Sequence, residues 1–142
     1  MPHQSTRPVP AAAPAVVAVV LDLLAVLVFA AAGKSSHAEH GGVVEVLVIA
    51  WPFVIGAAVG WAIHLLVRRT PPLTPVAGLW VAGGAVVVGH LLRVVSGRGT
   101  AFSFVVVSVV VLVLLLVGWR VLARLVGRRR DRTSPDVASL GG

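Results

Sequence analysis

Residues 13–32 read "APAVVAVVLDLLAVLVFAAA", twenty positions carrying a single charge, Asp22. A helix rises 1.5 Å per residue, so this run extends about 30 Å, the thickness of a bilayer's hydrocarbon core. Three more such runs follow, at about 43–67, 76–95 and 101–126. They are separated by "GKSSHAEHGG", "RRTPPLTP" and "SGRGT", stretches rich in Gly, Pro, Ser or charge, as loops are. Connections this short make consecutive helices antiparallel neighbours. The reading is an all-α integral membrane protein, an up-down four-helix bundle.

The totals agree. Of 142 residues, 58% are hydrophobic and 12% are charged, against about 25% charged in soluble domains. Such a chain cannot cover itself with polar groups, so lipid has to serve as part of its solvent. A single domain is expected at this length, with residues 1–12 as a disordered N-terminal tail, 13–127 as the transmembrane domain and 128–142 as a basic disordered tail. No cysteine is present, which removes disulfides, thiolate metal sites and thiol nucleophiles. The net charge of +7 would suggest nucleic acid in a soluble protein, but here the basic residues sit at the ends of apolar runs. No nucleic-acid partner is expected.

Those basic residues set an orientation. One side would hold Arg7, Arg68, Arg69, Arg124, Arg128, Arg129, Arg130 and Arg132; the other holds Lys34 and Arg98, with Arg93 nearby. The positive-inside bias places both termini in the cytoplasm, across the plasma membrane, with the arginines of the C-terminal tail near anionic lipid headgroups. Arg7 followed by an apolar run and "FAAAGKSS" imitates a cleavable signal peptide. Asp22 interrupts that run and further spans follow, so the segment is read as the first membrane helix.

Four charges lie at membrane depth: Asp22, Glu45, Arg93 and Arg120. Each costs at least about 2.5–3.5 kcal/mol on insertion scales, so each should face protein and find a partner. Counted at 1.5 Å per residue, Asp22 is roughly 13 Å above the cytoplasmic start of the first helix and Arg120 roughly 10 Å above the cytoplasmic end of the fourth. Glu45 and Arg93 both lie near the opposite surface. Depth therefore pairs Asp22 with Arg120 and Glu45 with Arg93 as structural ion pairs. Ala15, Ala18, Asp22, Ala25, Phe29 and Gly33 share one helical stripe, whose small residues mark a packing face. Pro52, Gly56 and Gly60 mark the packing face of the second helix, where Pro52 is expected to kink the helix and free the Val48 carbonyl.

Other polar residues carry less. His37, Glu39 and His40 in "SHAEH" are weak metal candidates, because no fourth ligand comes from a defined element. His64 and His90 read as helix–helix hydrogen-bonding groups, and Ser103 and Ser108 as hydroxyls bonding the preceding turn. Trp61, Trp80 and Trp119 suit membrane interfaces or helix packing, and Trp51 supports the bend at Pro52. No cofactor site and no nucleophile–base pair emerges, so no enzyme activity is expected.

Across about residues 16–126 a series of short pieces follows in order: "LDLLAVLVFAAAGKSSH", "AWPF", "GW" at Gly60 and Trp61, "LW" at Leu79 and Trp80, "GHLLR", "GTAFSFV" and "GWR" ending at Arg120. In these pieces and their order the chain resembles an uncharacterised prokaryotic membrane family, domain of unknown function 3054. The resemblance implies a four-helix membrane protein with no assigned activity, and it places Asp22, Arg93 and Arg120 within the family's pattern.

The functional expectation is a structural or accessory membrane subunit, acting with a membrane-protein partner or as a homo-oligomer. The alternative is a small transporter or a proton or ion permeation subunit using Asp22, Glu45, His64 and His90. That alternative needs a polar line from surface to surface, whereas the helix centres are Val, Leu, Ala and Gly.

Overall fold

Local chemistry stops each helix and starts the next. The computed structural model describes residues 12–35 and 42–133, in which α1 spans Ala12–Ser35, α2 Val43–Arg68, α3 Pro75–Val95 and α4 Phe102–Thr133. α2 ends where Arg69 turns left-handed (φ 56°) and its N–H closes on the Leu65 carbonyl at 2.9 Å. Thr74 then caps α3, its hydroxyl accepting from the Ala77 amide at 3.1 Å. Pro75 follows at the first helical position, where its missing N–H removes nothing. α3 closes with a Schellman motif around Gly97 (φ 74°): the Gly97 amide bonds the Val94 carbonyl at 3.1 Å, and the Arg98 amide bonds the Arg93 carbonyl at 3.0 Å.

Three of the four helices end within three residues of the expected spans. The fourth differs, since α4 continues to Thr133. Residues 128–133 therefore belong to a helix and not to the disordered tail expected from their charge. Backbone hydrogen bonds carried on from α4 satisfy this segment, and charge alone does not end a helix. The first eleven residues and residues 134–142 lie outside the described residues.

Consecutive helices are neighbours, α4 closes onto α1, and among the described residues the diagonal pairs make no close backbone approach, although Phe53 and Phe104 meet across the α2–α4 diagonal with ring centroids 6.2 Å apart. This is the up-down bundle expected. α2 and α3 meet backbone to backbone through glycines. A Cβ on Gly56 would stand 2.5 Å from the Gly84 carbonyl oxygen, one on Gly84 would stand 2.6 Å from the Gly60 nitrogen, and one on Gly60 would run into Trp80 and Val81. Small residues allow this approach, and the dispersion contacts along it hold helices together where lipid competes for apolar surface. α2 runs unbroken through Pro52, which is fully buried.

The core is layered along the bundle axis. Ala57, Val81 and Leu116 join Val26 in one layer; Phe29, Phe53, Ala85 and Leu112 fill the next. Phe29 meets Phe53 edge to face, with ring centroids 5.0 Å apart at 78°. Outward, the helices present Val and Leu, as at Leu66, Val87, Leu114 and Leu122. A bundle apolar both inside and outside suits lipid as solvent, and each of the four helices is long and apolar enough to cross a membrane.

Candidate functional site: a carboxylate shared between helices

Asp22 lies on the inner stripe of α1 with Ala18, Ala25 and Phe29, all buried. Its carboxylate accepts four hydrogen bonds. Arg120 on α4 reaches it with both terminal nitrogens, each 2.8 Å from a different oxygen. The indole N–H of Trp61 on α2 donates to one oxygen at 2.8 Å, and that of Trp119 on α4 donates to the other at 2.9 Å. A carboxylate offers about four lone-pair positions, so this one is saturated.

Arg120 is held almost as completely as its partner, donating from four of its five N–H groups at 0% exposure. Besides Asp22, its Nε donates to the Pro72 carbonyl at 2.9 Å and a terminal nitrogen donates to the Leu116 carbonyl one turn back. Pro72 sits in the α2–α3 connection and is itself buried, so the loop's rigid prolines aim a carbonyl into the bundle end. The guanidinium carbon lies 4.4 Å from the centroid of the Trp119 ring. α3 contributes space: a Cβ on Gly78 would stand 2.9 Å from Arg120 Cδ. The centre thus draws on all four helices and one connection. Bidentate geometry and complete satisfaction of polar atoms are the conditions under which a buried ion pair offsets its desolvation.

The structure brings Asp22 and Arg120 together, as depth matching predicts. It does not bring Glu45 and Arg93 together: among the described residues no ion pair joins them. Arg93 instead turns toward α4, its guanidinium carbon 4.6 Å from the Phe104 ring centroid. Glu45 stands half-buried in the first turn of α2, where the helix dipole favours a carboxylate. Matched height does not carry matched azimuth.

His90 meets Ser108 across α3 and α4 at 2.6 Å, and Ser108 donates to the Val105 carbonyl at 2.8 Å. His64 donates from Nδ1 to the Thr70 carbonyl at 3.0 Å, tying α2 to its own following loop and not to another helix. Ser103 is exposed. His37, Glu39 and His40 lie outside the described residues.

Sequence reasoning misses the two indole donors, because it assigns Trp61 and Trp119 to interfaces or packing. The signal is present. Trp61 lies seven residues from Arg68, roughly 10 Å inside by the same arithmetic that places Arg120, and Trp119 is Arg120's neighbour.

Residues 19–123 match the model of one protein family, described as a protein of unknown function (DUF3054). The chain belongs to this family. No curated protein and no solved structure matches it. The DUF3054 region begins three residues before Asp22 and ends three after Arg120, so it encloses the whole carboxylate centre.

Proposed function

We propose that this DUF3054 chain is a multi-pass plasma-membrane protein with cytoplasmic termini, serving as a structural or accessory membrane subunit without catalytic activity. The observation that carries this reading is the saturation of Asp22 by four donors. A proton relay needs a carboxylate with a lone pair free for the incoming proton; this one has none until a helix moves. A lock needs the opposite, a carboxylate whose acceptor positions are all spent internally.

A second observation points the same way. Between the Asp22 centre and the His90–Ser108 pair lie Val26, Phe29, Phe53, Ala85 and Leu112, all buried and apolar. Polar groups at the two ends are separated by a packed hydrocarbon layer, which favours a subunit over a conduit. The abundant basic residues at the termini and the α2–α3 connection support the cytoplasmic placement of that end.

The test is Asp22→Asn in the full chain, assayed twice. The lock requires a lower melting temperature in detergent, and wild-type liposomes that hold a pH gradient as well as empty ones. A wild-type proton flux that Asp22→Asn abolishes while the fold persists would replace this reading with the transporter alternative.

A further inference from the structure

At the opposite end of the bundle from Asp22, the α3–α4 turn builds a pocket of about 440 Å³ that holds two arginines and no acid among its lining residues. Arg93 and Arg98 both line it, with Thr100 from the turn and Phe104 from the first turn of α4. The Schellman motif brings these two residues near each other. Because the Arg98 amide is bonded to the Arg93 carbonyl, the backbone folds one guanidinium-bearing residue back over the other.

Like charges brought together by the backbone repel, and the nearby polar atoms do nothing to relieve this. Arg93 Nε and Thr100 Oγ1 are buried without a hydrogen-bond partner among the described residues. Buried polar atoms are paired in the great majority of cases, so two orphans beside one cavity call for a partner beyond the described residues. Glu45, the acid expected at this height, forms no ion pair among the described residues. The first amides of α4 add donors without acceptors, since the first bond of that helix runs from the Val105 amide to the Ala101 carbonyl. Among the described residues, the unspent side-chain groups at this site are guanidinium donors and a hydroxyl.

We propose that this pocket binds a phosphate-type oxyanion, clamped by Arg93 and Arg98 with Thr100 as a third contact. Guanidinium forks match tetrahedral oxyanions, and the flanking Phe104 ring and Ile49 exclude water and strengthen the contact. The oxyanion is either a free phosphate or the phosphodiester of a lipid headgroup, which share this recognition chemistry. The site is independent of the Asp22 lock.

Two arms separate the sources, both on the full chain. In the first, inorganic phosphate is titrated against purified protein in a phosphate-free detergent at constant ionic strength, following the melting temperature and calorimetric heat. In the second, native mass spectrometry compares phospholipid retained from nanodiscs of phosphatidylcholine with and without phosphatidylglycerol. Arg98→Gln is the main variant because Arg98 is exposed and its loss spares the core; Arg93→Gln is the companion, and Arg68→Gln at the other end is the control. Saturable phosphate binding weakened about tenfold or more by Arg98→Gln, but not by Arg68→Gln, assigns a free oxyanion. Retained lipid lost in the same pattern, without a phosphate response, assigns a headgroup. Binding unchanged by Arg98→Gln, or absent in both arms, overturns the proposal. So does binding that arises only in Glu39→Gln, which would make the chain's own carboxylate the occupant.

Discussion

Arg120 and Asp22, 98 residues apart in the chain, form a two-pronged ion pair in which each terminal guanidinium nitrogen meets its own carboxylate oxygen at 2.8 Å. Neither side chain is more than 4% exposed. The pair fastens the first helix to the last, closing a ring of contacts that consecutive connections alone would leave open between α1 and α4. Removing one charge strands the other inside the bundle, a loss of about 3 kcal/mol or more. Asp22→Asn and Arg120→Gln should each lower the detergent melting temperature markedly, and the double substitution should recover part of the loss. Strict additivity in that cycle would mean that the two side chains do not stabilise each other.

Trp61 and Trp119 should be distinguishable from the other tryptophans by their N–H groups alone. Phenylalanine keeps most of the ring's packing but removes the donor to Asp22. Trp61→Phe and Trp119→Phe are each expected to cost about 1 kcal/mol, while Trp80→Phe, whose indole makes no such bond, costs less. A thermal-shift series ranks them; Trp80→Phe as the worst of the three would contradict the assignment.

Glycines on α2 and α3 divide into contact and free positions. A methyl group at Gly60 or Gly84 meets backbone of the facing helix, so Gly60→Ala and Gly84→Ala should force the helices apart at about 1–3 kcal/mol. A Cβ at Gly83 meets nothing within 4 Å, and Gly83→Ala should be neutral or stabilising by up to about 1 kcal/mol through helix propensity. Chemical denaturation of the three variants side by side reads the difference. Equal behaviour at Gly83 and Gly84 would remove the close approach of α2 and α3 from the account.

Membrane orientation is accessible to cysteine labelling because the chain has no cysteine of its own. Gly97 and Gly99 have positive φ and would be strained by any side chain, whereas Ser96 (φ −79°) is exposed and unstrained. Ser96→Cys should react with an impermeant maleimide added to intact cells, and Thr70→Cys should react only after the membrane is opened. The reverse pattern would turn the protein over.

Much of this is legible in the order of residues alone. Asp22 and Arg120 can be matched because depth in a bilayer is one-dimensional: it follows from counting residues at fixed rise, and both charges fall well inside. Glu45 and Arg93 are matched by the same count and do not meet, because rotation about the helix axis also matters. Phe104 offers Arg93 a ring on the α4 side, and the dipole of α2 favours Glu45 where it stands. Reading tryptophan as an interface residue and not as a donor conceals half of the hydrogen bonds to Asp22. The Pro72 carbonyl cannot be foreseen, since a loop's backbone carries no sequence signal for the direction in which a carbonyl points.

The sequence by itself determined the four helices, their turns and their lipid-compatible surface, because hydropathy, Thr74–Pro75 capping and the Gly97 stop act over a few residues at a time. Only the tertiary structure decided which groups meet: Asp22 with Arg120, Trp61 and Trp119, and Arg93 beside Arg98 with no acid among the described residues. That choice depends on how far each helix is turned toward its neighbours. The turn is set by the glycine contacts of α2 with α3 and by the packing of Phe29 on Phe53, contacts between residues distant in the chain.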